Sequence, residues 1–169
     1  WQDFVVAPDV VMTPIDSRAS TITAGAATLQ LHRGTTVSDD DGSRTSVLLF
    51  PAGTTAQMVL PGGSIQPLAS FAVRATEYTV GSQGPEAMPA PLPTNSAYTY
   101  AVDLSVDEAI AAGAIRVEFS QPVVNYVENF LGFPVGSAVP AGFYDRVKGA
   151  WTAQDNGRVV KITGVTNGY

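Results

Sequence analysis

A chain of 169 residues with 45% hydrophobic and only 14% charged side chains is too apolar and too thinly charged for disorder, and it is long enough to bury a core. Fifteen acids against nine bases leave a formal charge of −6 with no basic tract, which argues against nucleic acid as a partner. No apolar run reaches the roughly 20 residues of a membrane-spanning helix, and with no Cys and one His the chain has no disulfides, thiolate zinc centres, Cys–His chemistry or multi-histidine metal sites.

Helical periodicity is almost missing. Short apolar or alternating runs recur instead, broken by Gly, Pro, Asp and Asn at a spacing of about 8–12 residues. They predict strands over residues 4–6, 10–13, 20–23, 28–32, 45–50, 56–60, 72–78, 98–104, 115–124, 126–130, 141–145, 150–153 and 159–162. In the run ending Leu29-Gln-Leu-His-Arg33, the alternation places Leu29 and Leu31 inward and Gln30 and His32 outward. One short helix is expected: Ser105 is its N-cap, Glu108 completes a capping box, Asp107 favours the helix dipole and Gly113 closes it. Residues 81–95 hold four prolines and two glycines, and read as an extended loop crossing between two sheets. A second break over residues 132–142 sets off an aromatic-rich C-terminal part. The expected fold is all-β, an antiparallel β-sandwich over residues 1–130 with a C-terminal aromatic β-hairpin lobe over residues 131–169 packed on it or continuous with it.

Three groups of residues carry candidate chemistry. Asp39, Asp40 and Asp41 stand before Gly42 between two strands; clustered carboxylates suit calcium, while Asp-Gly is also a hairpin turn in its own right. Tyr126, Tyr144 and Trp151, with Phe130, Phe133 and Phe143 beside them, offer rings that either stack on a sugar or a partner protein or hold a hairpin together. Asp103, Asp107, Glu108 and Glu118 are the carboxylates available for acid–base work, but Asp107 and Glu108 are explained by the helix and Glu118 by an outward strand position. His32 lacks a nucleophile elbow, and for an isopeptide bond from Lys148 or Lys161 to Asn125 or Asn129, Lys148 lies in a turn where a buried cross-link is awkward. No catalytic residue is therefore assigned, and no cofactor beyond the calcium alternative.

Longer motifs add a likeness. Leu49-Phe-Pro-Ala-Gly-Thr-Thr55, Val73-Arg-Ala-Thr-Glu-Tyr-Thr-Val80, Gly84-Pro-Glu-Ala-Met-Pro89, Ser105-Val-Asp-Glu-Ala109, Tyr126-Val-Glu-Asn-Phe130, Gly142-Phe-Tyr-Asp-Arg146 and Asp155-Asn-Gly-Arg-Val-Val-Lys-Ile162 together resemble a β-rich block of very large bacterial proteins that carry Rhs (YD-type) repeats. The resemblance covers roughly residues 35 to 163. It implies a scaffold module ahead of a repeat region, on a secreted or surface-displayed protein. Phe50-Pro-Ala-Gly53 is similar to a strand-turn element of the β-sandwich in ankyrins and netrin receptors, some relatives of which self-cleave at His-Phe-Ser. Here the corresponding triplet is Glu118-Phe-Ser120, which lacks the imidazole, so no cleavage is expected.

The expectation is thus a non-enzymatic structural or spacer module, extracellular or on the cell surface, contacting neighbouring domains of a longer polypeptide. The opening Trp1, the absence of a basic leader and the scarcity of lysine fit an internal, disulfide-free piece of such a protein. The alternative is a carbohydrate- or protein-binding module that uses Tyr126, Tyr144 and Trp151.

Overall fold

The computed structural model describes residues 10–81, 84–93 and 98–164. The fold is all-β, with antiparallel sheets and one short helix. Strands β1 (Ser20–Thr23), β2 (Gln30–Arg33), β3 (Val37–Asp39), β4 (Gly42–Arg44), β5 (Val47–Phe50), β6 (Ala56–Val59), β7 (Ile65–Leu68) and β8 (Ser70–Glu77) precede a 3-10 turn at Pro85–Ala87. After it come β9 (Val102–Val106), α1 (Asp107–Ala111), β10 (Arg116–Phe119), β11 (Val124–Tyr126), β12 (Ala138–Asp145) and β13 (Ala150–Arg158). Three sheets have three strands each, in the orders β1-β8-β9, β10-β6-β7 and β11-β5-β2; β3–β4 and β12–β13 are hairpins.

The three sheets share one core. Each supplies one phenylalanine to its centre: Phe71 from β8, Phe50 from β5 and Phe119 from β10, with ring centroids 5.8–5.9 Å apart. Tilted and edge-to-face packing sets ring edges against ring faces, the arrangement the aromatic quadrupole favours. Ile22, Leu48, Met58, Leu68, Val73 and Val106 surround the trio. Alternation does the sorting along β8, where Phe71, Val73 and Ala75 point inward while Ala72 and Arg74 face outward and are partly exposed.

Chain order is carried by turns. The two-residue loop Asp40–Asp41 joins β3 to β4, and Gly42 adopts a φ of +130°, which no residue with a Cβ takes up readily. Strand β7 lies at a sheet edge and contains Pro67, whose missing N–H is harmless there. In β12, Pro140 falls at the register shift between Val139 and Ala141, so the ladder passes around the residue that cannot donate to it.

Several expectations change. Residues 10–13 and 159–162 are not strands, and residues 4–6 lie outside the described part. The run 115–124 breaks into β10 and β11, which belong to different sheets, because Pro122 interrupts the ladder. The proline-rich segment after β8 is no crossover between sheets: β8 and β9 pair directly, so it is a long excursion within one sheet. Ser105 does not cap α1 either. It lies on β9 opposite Arg74, the N-cap is Val106 without a side-chain hydrogen bond, and Glu108 Oε2 accepts from the Ala72 amide instead. Gly113 does close the helix, with φ +63°.

The largest reversal concerns β2. His32 is fully buried, whereas Leu29 and Leu31 are more than half exposed. The reason is register: Leu31, Leu49 and Val124 form one cross-strand row on the outer face of β11-β5-β2, while His32 pairs with core-facing Leu48. Strands β1 and β2 meet where two sheets adjoin, yet no ladder joins them among the described residues. Side chains bridge the seam. The Gln30 amide both accepts from the Thr23 N–H and donates to the Thr23 carbonyl, each at 2.8 Å, and His32 Nδ1 lies 3.0 Å from Ser20 Oγ.

Candidate functional site

The aromatic candidates divide between two places. Tyr144 and Trp151 are directly opposed on β12 and β13, edge-to-face at 5.7 Å, and so act as a cross-strand pair of the C-terminal hairpin. The Trp151 indole N–H donates to the Ala90 carbonyl at 3.0 Å, tying the hairpin to the proline-rich excursion. Asp145 orders the turn between the two strands by accepting the Val147 and Lys148 amides and the Lys148 ammonium, which hold its carboxyl below the ordinary range. Tyr126 stands on β11, paired with Val47 of β5 and nearly half exposed, and takes part in none of the ring contacts among the described residues. Sequence placed the three rings on one candidate surface; the structure joins only Tyr144 and Trp151.

The acidic turn is a tight hairpin. Asp39 Oδ1 and Oδ2 accept from Arg44 Nη1 and Nη2, each at 2.7 Å, while the Asp41 amide donates to Asp39 Oδ1. This forked contact holds the Asp39 carboxyl below its usual range. Asp40 and Asp41 are exposed at the tip. With both Asp39 oxygens already bonded to a guanidinium, millimolar calcium is expected to leave the melting temperature unchanged, as calorimetry with and without calcium will check; a calcium-dependent rise would place a cation on this turn.

A site that sequence reasoning missed lies just beneath that turn. Arg44 is 2% exposed. Besides Asp39, it donates through Nε to Glu77 Oε1 at 2.7 Å and through Nη2 to Thr79 Oγ1 at 3.3 Å, while the Phe130 ring centre lies 4.4 Å from its Cζ. Thr79 also donates to Glu77. The hydrogen bonds to Asp39, supported by those to Glu77, keep the guanidinium firmly charged. Around it, Glu128 Oε2 accepts from the Thr45 amide at 2.5 Å, Ser46 donates to Asn125 Oδ1 at 2.8 Å, and Thr36 and Thr45 hydroxyls bond at 2.8 Å. Tyr100 is pushed upward by burial. The cluster draws together β4, β8 and residues 125–130, and is dense in paired charge. A weak signal existed in the sequence, since Asp39 and Arg44 flank a two-residue turn and are diagonal neighbours across it.

The other carboxylates are also engaged within the fold. Arg74 forks onto Asp107 through Nε and Nη2 at 2.8 and 2.9 Å, which lowers the Asp107 carboxyl, and its Nη1 donates to the Asp16 carbonyl. Glu118 accepts from Gln57 and Arg116, which lower its carboxyl. Asp103 is raised by burial and faces Arg146 at 4.0 Å. These acids stand on separate elements rather than as a facing pair. Beside Glu118 lies a groove of about 330 Å³ bounded by Thr55, Gln57, Pro67 and Ser120. Ser120 is held there, its amide donating to the Thr55 carbonyl and its Oγ accepting from the Thr55 amide. Lys148 is engaged at its turn, Lys161 is exposed, and Asn125 and Asn129 bond to Ser46 and Phe133, so the residues considered for an isopeptide bond are not gathered.

No family model, curated protein or solved structure matches the chain.

Proposed function

We propose that this chain is a non-enzymatic structural or spacer module of a large secreted or cell-surface bacterial protein, mediating contacts between neighbouring domains. One observation carries the reading: two arginines and several carboxylates are used as internal ties between segments. Arg44 binds Asp39 and Glu77, Arg74 binds Asp107 and the Asp16 carbonyl, and Glu108 and Glu128 each receive a backbone amide from another strand or loop. Such groups are oriented for rigidity and present no facing acid–base pair to a substrate. The resemblance to the β-rich block of Rhs-repeat proteins supplies the setting. With no cysteine in the sequence, stability of the core does not depend on the redox state of its surroundings, which leaves a surface location open.

A second reading, a glycan- or protein-binding module, is favoured by the exposure of Tyr126 and Phe143, both close to half accessible. It meets an obstacle at Trp151, whose indole N–H is already bonded to Ala90. Two measurements separate the readings. Joined to its natural neighbours, the module is expected to raise their melting temperature relative to the same domains without it; an unchanged value overturns the spacer reading. Mixed oligosaccharides added to the chain are expected to leave the Trp151 indole resonance, assigned with a Trp151→Phe control, in place. A saturable shift would install the binding reading instead.

A further inference from the structure

We propose that the seam between β1 and β2 is an acid-sensitive latch, with His32 as the group that receives the proton. The seam is closed by side chains alone: the exposed Gln30–Thr23 bridge and the buried His32–Ser20 contact. His32 is 0% exposed, and its Nε2 has no hydrogen-bond partner. In the tautomer whose Nδ1–H donates to Ser20 Oγ, Nε2 is an unprotonated acceptor without a partner, a smaller cost than burying a charge. Protonation makes both nitrogens donors and places a charge in the core with one N–H facing no acceptor.

The charged groups around it offset burial only in part. Asp16, on the segment before β1, is the one anion acting on the ring among the described residues, and its oxygens already accept from the Thr35 hydroxyl and amide and the Arg18 amide. Arg74, on β8, opposes a second positive charge, and its own partner Asp107 of α1 is forked onto it. From β5 the facing residue is Leu48, and from β1 it is Ser20, neither of which ionises in this range. Burial dominates and holds the imidazole below its ordinary 6.5.

The sign of the pH dependence follows. Below pH 6.5 the unfolded or opened chain binds a proton at His32 that the closed form refuses, so stability is complete above 6.5 and declines as pH falls. The loss stops growing once pH passes the depressed value of the closed state. Because the ring sits at a seam with no ladder, the proton is accommodated by separating β1 and the segment carrying Asp16 from β2, while the C-terminal hairpin stays paired.

His32 is the only histidine, so its Cε1–H resonance reports the closed state without ambiguity. The resonance is expected not to titrate at 6.5. The closed-to-open ratio, read from exchange of the Thr23 amide, which bonds Gln30 Oε1 across the seam, and corrected for intrinsic rates, is expected to fall by up to about tenfold per pH unit below 6.5. Amides of β12 and β13 should stay unchanged over the same window, and His32→Gln should remove the dependence. Titration of the folded chain at 6.5, equal acceleration in every strand, or the same pH profile in His32→Gln each overturns the latch. Should His32→Gln fail to fold, the resonance titration and the exchange pattern of the unaltered chain decide the matter.

Discussion

Arg44→Met will lower stability by about 3–5 kcal/mol, the cost of leaving buried charge without its partner. Glu77 is 6% exposed and loses its guanidinium, while Asp39 loses both of its donors. In urea titrations the transition midpoint should fall sharply, and for a chain of this size the melting temperature should drop by roughly 10 °C or more. The pH profile gives a second reading. With Arg44 present, Asp39 is held below 3.8, so its contribution is complete above that value and is lost as pH falls through the depressed one. Adding Glu77→Met should recover part of the loss, since two buried apolar groups are tolerated where one orphaned charge is not. If Arg44→Met melts within a degree or two of the parent, the cluster is a surface ornament rather than a tie.

Phe71→Ala should be comparably damaging, at about 3–5 kcal/mol. Phe71 is 0% exposed and touches both other rings of the central trio, so its removal empties the point where the three sheets meet. Phe71→Leu, which keeps most of the volume, should cost clearly less than Phe71→Ala. Chemical denaturation of both variants checks the ordering, and equal losses would mean that the trio is not packed as described. Exposed Phe143 supplies the contrast: Phe143→Ala is expected to shift stability far less.

The all-β class was legible in the sequence because its signals are local. Turn glycines and prolines bracket short β-branched runs, and most of the predicted strands fall within a few residues of β1, β2, β5, β6, β8, β9, β12 and β13. Strand β7 was not among the predicted strands, since Pro67 and the preceding Gly62 and Gly63 are poor strand residues; only its edge position makes that sequence acceptable as a strand. The face of β2 was misread for a different reason. Alternation gives the two faces but not which of them meets the core, and the outer face of this sheet is itself apolar, through Leu31, Leu49 and Val124. Of the candidate residues, the Tyr144–Trp151 pairing was foreseeable from a hairpin with a turn between them, whereas the separation of Tyr126 depends on which sheet β11 joins. The Arg44 cluster was the least legible. Its partners Glu77, Thr79 and Phe130 come from distant segments, and nothing local marks an arginine flanked by Ser43 and Thr45 as buried.

The phenylalanine trio also bears on the order in which the molecule assembles. Phe50, Phe71 and Phe119 come from widely separated parts of the chain, and β10, which carries the last of them, is inserted beside β6 rather than beside a sequence neighbour. During synthesis Phe50 and Phe71 therefore emerge from the ribosome well before the ring that completes their packing, leaving an open apolar surface in the interval. Closing such long loops is slow, typically on the scale of roughly milliseconds to seconds for non-local β topologies. The C-terminal hairpin, whose strands pair only with each other among the described residues, faces no such wait. A nascent chain halted before residue 116 should thus engage holdase chaperones, and release them once β10 has passed the tunnel.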